Sequence, residues 1–243
     1  KPIDCDVARF GSIGKLPNGK LGFIHVCLLK EPSMRRIFSL YAWELSTGHF
    51  QQLQTYPRYF LSTAFSVSSE SSEIIQEEGG ANPQPTLHRV TENGEVVQIF
   101  PEFFRAASPT WSPDGKYLAF VGNEKGPGEK SSIFTGLVAL NNVIDHPWNL
   151  YLTASSSSKP EIILTDIQWA DQLKWSPDGT RLAFWGVFRD QSGIHIFDIE
   201  NKEVARVWPE FSKYDWSPDG TQLVLIDEEA PFEKGLPVIL DLP

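Results

Sequence analysis

The sequence predicts an all-β fold, a β-propeller of four-stranded antiparallel blades, on three observations. A ten-residue segment recurs three times, as Trp111-Ser-Pro-Asp-Gly-Lys-Tyr-Leu-Ala-Phe120, Trp175-Ser-Pro-Asp-Gly-Thr-Arg-Leu-Ala-Phe184 and Trp216-Ser-Pro-Asp-Gly-Thr-Gln-Leu-Val-Leu225. Short runs of alternating apolar residues follow each copy, with the period of half-buried strands. Turn signals separate these runs at the spacing of a propeller blade, roughly 40–45 residues for four strands.

Within each copy, Trp ends an inner strand and brings a large apolar surface. Pro-Asp-Gly makes a tight turn, because Pro presets φ and Gly accepts φ > 0. The alternation that resumes is the second strand of a hairpin. Asp114, Asp178 and Asp219 fall in these turns and are expected to cap local backbone N–H groups. Two weaker copies precede them: Pro17-Asn-Gly-Lys-Leu-Gly-Phe-Ile24, which lacks the Trp, and Phe65-Ser-Val67 followed by Glu73-Ile-Ile-Gln76. Third strands are predicted at 40–45, 86–90, 149–152, 194–199 and 238–242, and fourth strands at 50–53, 95–99, 161–164 and 204–208.

The turn anchors give five blades in a single domain over residues 1–243, with an insertion at 122–147 in the third blade. The fifth blade ends after its third strand. An N-terminal strand near Cys5 to Phe10 is expected to complete it, closing the ring and removing an exposed sheet edge. The competing reading is a fragment that lacks blades. The chain starts at Lys1 rather than Met, as expected of a trimmed or mature form.

Composition narrows the function. A formal net charge of -10 argues against a nucleic-acid binder, which needs a basic surface to displace counterions from phosphate. It also disfavours docking on anionic lipid. No apolar run approaches the roughly 18 residues needed to span a bilayer as a helix. Cys5 and Cys27 are too few for a disulfide scaffold or a four-thiolate zinc site. They pair if an N-terminal strand lies beside the strand that holds Cys27; the alternative is two buried thiols.

Catalytic signatures are missing. There is no Gly-x-Ser-x-Gly elbow, no His-Glu-x-x-His, no Cys-x-x-Cys and no phosphate-binding glycine loop, so no catalytic residue, cofactor or metal is assigned. His25, His88 and His195 fall in predicted strands and His49 in a turn, whereas His146 lies in the insertion near Asp145 and Trp148. A glycosidase needs two carboxyl groups roughly 5–9 Å apart. The acidic residues on predicted loops, Asp171 among them, are too numerous to single out a pair and read as a solvated rim.

The Trp-Ser-Pro-Asp-Gly-x-x-Leu-Ala-Phe pattern resembles the WD40-like (PD40) repeats of the TolB family, and similar repeats occur in the propellers of tricorn protease and prolyl oligopeptidase-type peptidases. The resemblance spans nearly the whole chain and is sharpest in the last three blades. It implies a non-catalytic propeller that binds protein partners in a periplasmic or extracellular setting. From the peptidases it implies instead a propeller that gates a separate hydrolase domain. The chain departs from the TolB pattern in lacking a preceding α/β domain and in showing five blades where that family has six.

Specificity is therefore expected where the repeat is broken. The connections between blades and those between second and third strands share one face, around the channel mouth. Blade-joining loops are expected at 56–60, 101–105, 166–171 and 209–214, each with an aromatic side chain ahead of the Trp or Phe anchor. Arg58, Tyr59, Phe104, Arg105, Trp169, Asp171 and Phe211, with His146 from the insertion and Trp148 just after it, are the candidate partner-binding residues, because aromatic and Arg side chains dominate binding hot spots. The competing reading is that these aromatics wedge between blades. The expected partner is a protein or peptide, with carbohydrate as the alternative.

Overall fold

The computed structural model describes residues 7–15, 21–29, 35–56, 65–70, 73–78, 84–90, 96–124, 147–154, 156, 158–210, 212–226 and 237–242. They form only β-structure, an antiparallel propeller. The first sheet holds β1 (Val7–Lys15), β2 (Leu21–Leu29), β3 (Arg35–Glu44) and β4 (His49–Tyr56), in that order. The second holds β5 (Phe65–Val67), β6 (Ile74–Glu78), β7 (Thr86–Val90) and β8 (Val96–Gln98).

The third and fourth repeats share one seven-stranded sheet. It runs from β9 (Phe103–Trp111) through β10 (Leu118–Glu124), β11 (Trp148–Thr153), β12 (Glu161–Trp175), β13 (Arg181–Phe188) and β14 (Gln191–Asp198) to β15 (Val204–Trp208). The 15-residue β12 is the joint. Its first part pairs with β11 and its last part with β13, and Ile167 faces both Trp148 and Phe188. The segment 166–171, expected as a blade-joining loop, is thus strand. The last sheet holds β16 (Lys213–Trp216), β17 (Gln222–Ile226) and β18 (Val238–Asp241).

The N-terminal strand takes a different place from the one expected. Val7–Phe10 pair with Leu28 to His25 of β2, inside the first sheet, and the last sheet has three strands among the described residues. Lys15 occupies the position of the anchor Trp ahead of Pro17-Asn18-Gly19, so β1 and β2 are the two arms of a repeat hairpin. That pairing closes a short loop, whereas completing the last sheet requires closing a loop of nearly the whole chain, at a larger entropy cost. The backbone of Cys27 lies opposite Ala8 of β1; Cys5 lies outside the described residues.

The repeated turns behave as the residues dictate. In the first strong copy, Ser112 Oγ donates to Asp114 Oδ1 at 2.6 Å, Lys116 N donates to the same oxygen at 3.1 Å, and Tyr117 N donates to Ser112 Oγ at 3.0 Å. The same network recurs at Ser176–Asp178 and Ser217–Asp219. The Ser112 hydroxyl, with Lys116 N–H, holds Asp114 below the usual carboxylate range. At Asp219 the Ser217 hydroxyl and the Thr221 donors bring the pKa to about 2.

Hydrophobic cores lie between successive repeats. One joins Ile75 and Leu87 to Phe103, Trp111, Phe120 and Tyr151. A second joins Ala119, Val121 and Leu150 to Ile167, Phe184 and Phe197, and a third joins Ala183, Ile194 and Ile196 to Tyr214, Leu223 and Leu225. The anchor tryptophans stitch these junctions. Trp175 Nε1 donates to Thr110 O at 3.1 Å, and Trp216 Nε1 donates to Lys174 O at 3.3 Å. In both cases the acceptor is the residue just before the anchor Trp of the preceding repeat.

Candidate functional site

Two inner strands carry the same irregularity. Thr110 and Ala107 of β9 face Ala119 and Val121, so Ser108 and Pro109 together oppose Phe120. Lys174 and Asp171 of β12 face Ala183 and Trp185, so Gln172 and Leu173 together oppose Phe184. These are β-bulges three residues ahead of an anchor Trp, and bulges re-aim side chains. Ser108 and Gln172 hold φ values of 52° and 54°. A non-glycine residue in this region costs about 1–3 kcal/mol and persists where its surroundings fix it.

The fixing contacts form one polar run across four successive repeats. Ser108 N donates to Glu77 Oε2 on β6 at 2.8 Å, and Ser108 Oγ donates to Asp171 Oδ1 at 2.6 Å. Gln172 N donates to the same Asp171 oxygen at 2.7 Å. Tyr214 Oη on β16 donates to Gln172 O. Ser108 and Tyr214 are buried, whereas Asp171 is exposed. Burial, with the charges of Asp171 and Asp215, pushes the Tyr214 hydroxyl well above its ordinary pKa, so it remains a donor. Asp171 is therefore an oriented carboxylate: its Oδ1 is held by two donors, and the side chain opens to solvent.

The candidate residues distribute unevenly. Arg105 and Trp148, expected at the binding rim, are 2% and 6% exposed. The guanidinium of Arg105 lies 4.3 Å from the Trp148 ring centroid, and its Nε donates to Asn123 Oδ1 at 3.0 Å. Desolvation lowers the Arg105 pKa to about 10. The pair fills the interior, and the carbonyl of Arg105 abuts Gly122, where a Cβ would sit 2.5 Å from it.

Trp169 occupies the equivalent repeat position, with its carbonyl against Gly186, and is half-buried in an edge contact with Trp185 at 4.3 Å. Phe104 is half-buried as well. Arg58, Tyr59, Phe211 and His146 lie outside the described residues. So does 125–146 of the expected insertion, whose first residues, Gly122–Glu124, continue β10.

Glu77, Ser108, Gln172 and Tyr214 were not legible as a group. The only available signal was the shared offset of Ser108 and Gln172 from their anchors. Chemically the arrangement is an acceptor site. Ser108 donates to a carboxylate, while His88 Nε2 lies 3.0 Å from Thr86 Oγ1 and His195 Nε2 3.0 Å from Gln191 O. Among the described residues no group of three His, Cys, Asp or Glu is placed to hold a metal ion. The carboxylates with lowered pKa, Asp114, Asp178 and Asp219, all lie in the repeated turns at the far ends of the inner strands.

No family model matches the chain. Among solved structures it is similar to TolB from Acinetobacter baumannii, with a TM-score of 0.68 and 17% identity over 96% of this chain and 52% of that one. A putative TolB from Agrobacterium tumefaciens has a TM-score of 0.62 and 15% identity, covering 95% of this chain and 80% of that one. An acylaminoacyl peptidase in complex with Z-Gly-Gly-Phe-chloromethyl ketone has a TM-score of 0.54 and 12% identity, covering 96% of this chain and 38% of that one. The chain spans about half the length of the Acinetobacter protein. These likenesses give the fold: an all-β, TolB-like propeller.

Proposed function

We propose that this chain is a single, non-catalytic TolB-like propeller domain that binds a protein or peptide through its loop-rich face, with Asp171 as the anchor for a cationic group of the partner. The observation that carries the reading is the exposed Asp171 carboxylate, oriented by Ser108 and Gln172 on two strained bulges. Strain kept at one solvent-facing acidic group marks a site more readily than a packing joint. Trp169, just ahead of Asp171, and Phe104, just ahead of Ser108, are half-buried and supply apolar surface. The resemblance to the TolB family supports protein binding without catalysis, and an acidic chain suits a basic partner.

The experiment is selection of peptides from a random display library, followed by affinity measurement against variants. Asp171→Asn keeps an oxygen for Ser108 and Gln172 and removes the charge. Selected peptides are expected to carry Lys or Arg, and to bind Asp171→Asn at least about tenfold more weakly, a loss of about 1.4 kcal/mol. Equal binding to wild type, Asp171→Asn and a Trp169→Ala/Phe104→Ala double variant refutes the site.

A second reading rests on Glu77 and Asp171, which both accept from Ser108 and so lie near each other. A carboxylate pair on one sugar is the arrangement of a glycosidase. Hydrolysis of aryl glycosides by the chain, abolished in Glu77→Gln, would establish it in place of the first.

A further inference from the structure

The third and fourth repeats fill one equivalent place in opposite ways, and the ladder register allows a comparison residue by residue. Gly122 pairs with Asn149 and Gly186 with Gly193, so Trp148 of β11 corresponds to Ser192 of β14. Val121 faces Ala107 in the third repeat, and Trp185 faces Asp171 in the fourth. Trp169 stands where the third repeat has Arg105. The third repeat closes this place and carries its own cation there: the Arg105 guanidinium lies against the buried Trp148 ring, and residue 107 is alanine. The fourth repeat exchanges each part. The cation becomes an indole, the alanine becomes a carboxylate, and the covering Trp becomes Ser192, which is exposed.

The exchange leaves an acid beside an aromatic corner. Residues two apart on a strand share a face, as do residues opposite each other across a ladder, so Trp169, Asp171 and Trp185 share one. The Trp169 and Trp185 rings meet at 4.3 Å with an interplanar angle of 83°. Asp171 Oδ1 accepts from Ser108 Oγ and Gln172 N, two neutral donors, so the carboxylate keeps its charge uncompensated. The ion pairs among the described residues engage Glu73, Asp114, Asp166 and Asp215, not Asp171, and Lys174 on the same strand is committed to Asp215 at 3.1 Å. We propose that this corner takes the guanidinium of an arginine side chain from the partner. The inference rests on the reading of Asp171 as a cationic anchor and names the cation. Arg105 shows the kind of group that the preceding repeat lays against an indole at the same level of its sheet, and Arg181 lies over the Trp216 ring at 5.2 Å. A guanidinium is planar and weakly hydrated, so it stacks on an indole face while an N–H group reaches the free Asp171 oxygen. A lysine ammonium is a compact, strongly hydrated point charge and gives up more water to enter the same place.

Titration of the full chain with acetyl-arginine amide, acetyl-lysine amide and acetyl-trimethyllysine amide tests the proposal. The readout is the indole N–H signals of Trp169 and Trp185 by NMR, assigned with Trp169→Phe and Trp185→Phe. The arginine probe is expected to shift both signals and to bind about fivefold or more tightly than either lysine probe. Asp171→Asn is expected to weaken its binding by a similar factor. So is Ser192→Arg, which supplies a guanidinium to the corner from within the chain. A lysine or trimethyllysine probe that binds as tightly as arginine, and is still weakened by Asp171→Asn, overturns the guanidinium assignment while Asp171 stands as the anchor of another cation. Arginine binding that Asp171→Asn leaves unchanged overturns the assignment and the anchor together. A spectrum without shifts up to about 50 mM arginine probe, well above a millimolar dissociation constant, overturns the assignment, and the selected peptides then report on the anchor alone. If Asp171→Asn does not fold, Ser192→Arg decides, because Ser192 is exposed: binding unchanged there places the arginine elsewhere and overturns the proposal.

Discussion

Gly186→Ala measures how tightly the inner strands of the propeller are drawn together. A Cβ at this position would lie 2.1 Å from the Trp169 carbonyl oxygen and 2.8 Å from Ala170 Cα. Carbon and oxygen are comfortable at about 3.3 Å or more, so β12 and β13 must part by about 1 Å. Gly186 also faces Gly193, and a shift away from β12 therefore presses on β14. Overpacking of this kind costs about 1–3 kcal/mol, and weakening one or two ladder hydrogen bonds adds about 1 kcal/mol each. The expected total is about 3 kcal/mol. Gly48→Ala is the control: φ is +69° and no atom lies within 4 Å of the added Cβ, so only the left-handed backbone cost of about 1 kcal/mol applies. Urea unfolding with unchanged m-values reads both. Gly122→Ala, at the matching position of the third repeat, should behave like Gly186→Ala. If Gly186→Ala costs no more than Gly48→Ala, the close approach of the strands is not a constraint and the equivalence of the two repeats fails.

Three further outcomes are expected. Burial holds the His195 imidazole below its ordinary pKa, so between the folded and unfolded midpoints the unfolded chain binds more protons. Its contribution is complete above the unfolded value of about 6.5 and is lost as pH falls below it; urea midpoints measured from pH 7.5 to pH 5 should fall less in His195→Gln than in wild type. Asp219 should titrate near 2 by NMR, and Ser217→Ala should raise that midpoint; because the folded pKa is depressed, the group stabilises the fold above about pH 4 and ceases to do so as pH falls toward about 2. Arg105→Ala opens a cavity beneath Trp148 and strands Asn123, and should destabilise the chain by about 2–4 kcal/mol in the same urea assay.

The part of the structure legible in the sequence is the part set by local rules. The Trp-Ser-Pro-Asp-Gly turn, its capping carboxylates and the strand that follows depend on neighbours a few residues away, and each lies where its residues place it. The reading failed where distant backbone decides. Arg105 and Trp169 share one repeat position, yet Arg105 is enclosed under Trp148 while Trp169 rests half-covered on Trp185. Nothing in their own segments distinguishes the two. A last sheet one strand short points to the N-terminal strand as its completion, yet Pro17-Asn18-Gly19 marks a local hairpin, and that local pairing is the one formed. The bulges at Ser108 and Gln172 had no signal stronger than their offset from Trp. Gly122 and Gly186, both eleven residues after an anchor, were the one overlooked regularity that would have revealed how closely the inner strands approach.

The long strand β12 has a consequence for how the molecule comes apart. Elsewhere in the described residues one sheet ends before the next begins, so a single repeat can open while its neighbours persist. Between the third and fourth repeats no such break exists, because Ile167 is paired with both halves of the sheet. Opening either half pulls on a strand that the other half still holds. These two repeats should therefore exchange their amide protons as one cooperative unit, with the flanking sheets opening at lower free energy. A protease that nicks the chain between 161 and 175 would have to wait for that whole unit to unfold, and susceptibility there would report the stability of the centre of the protein and not of a surface connection.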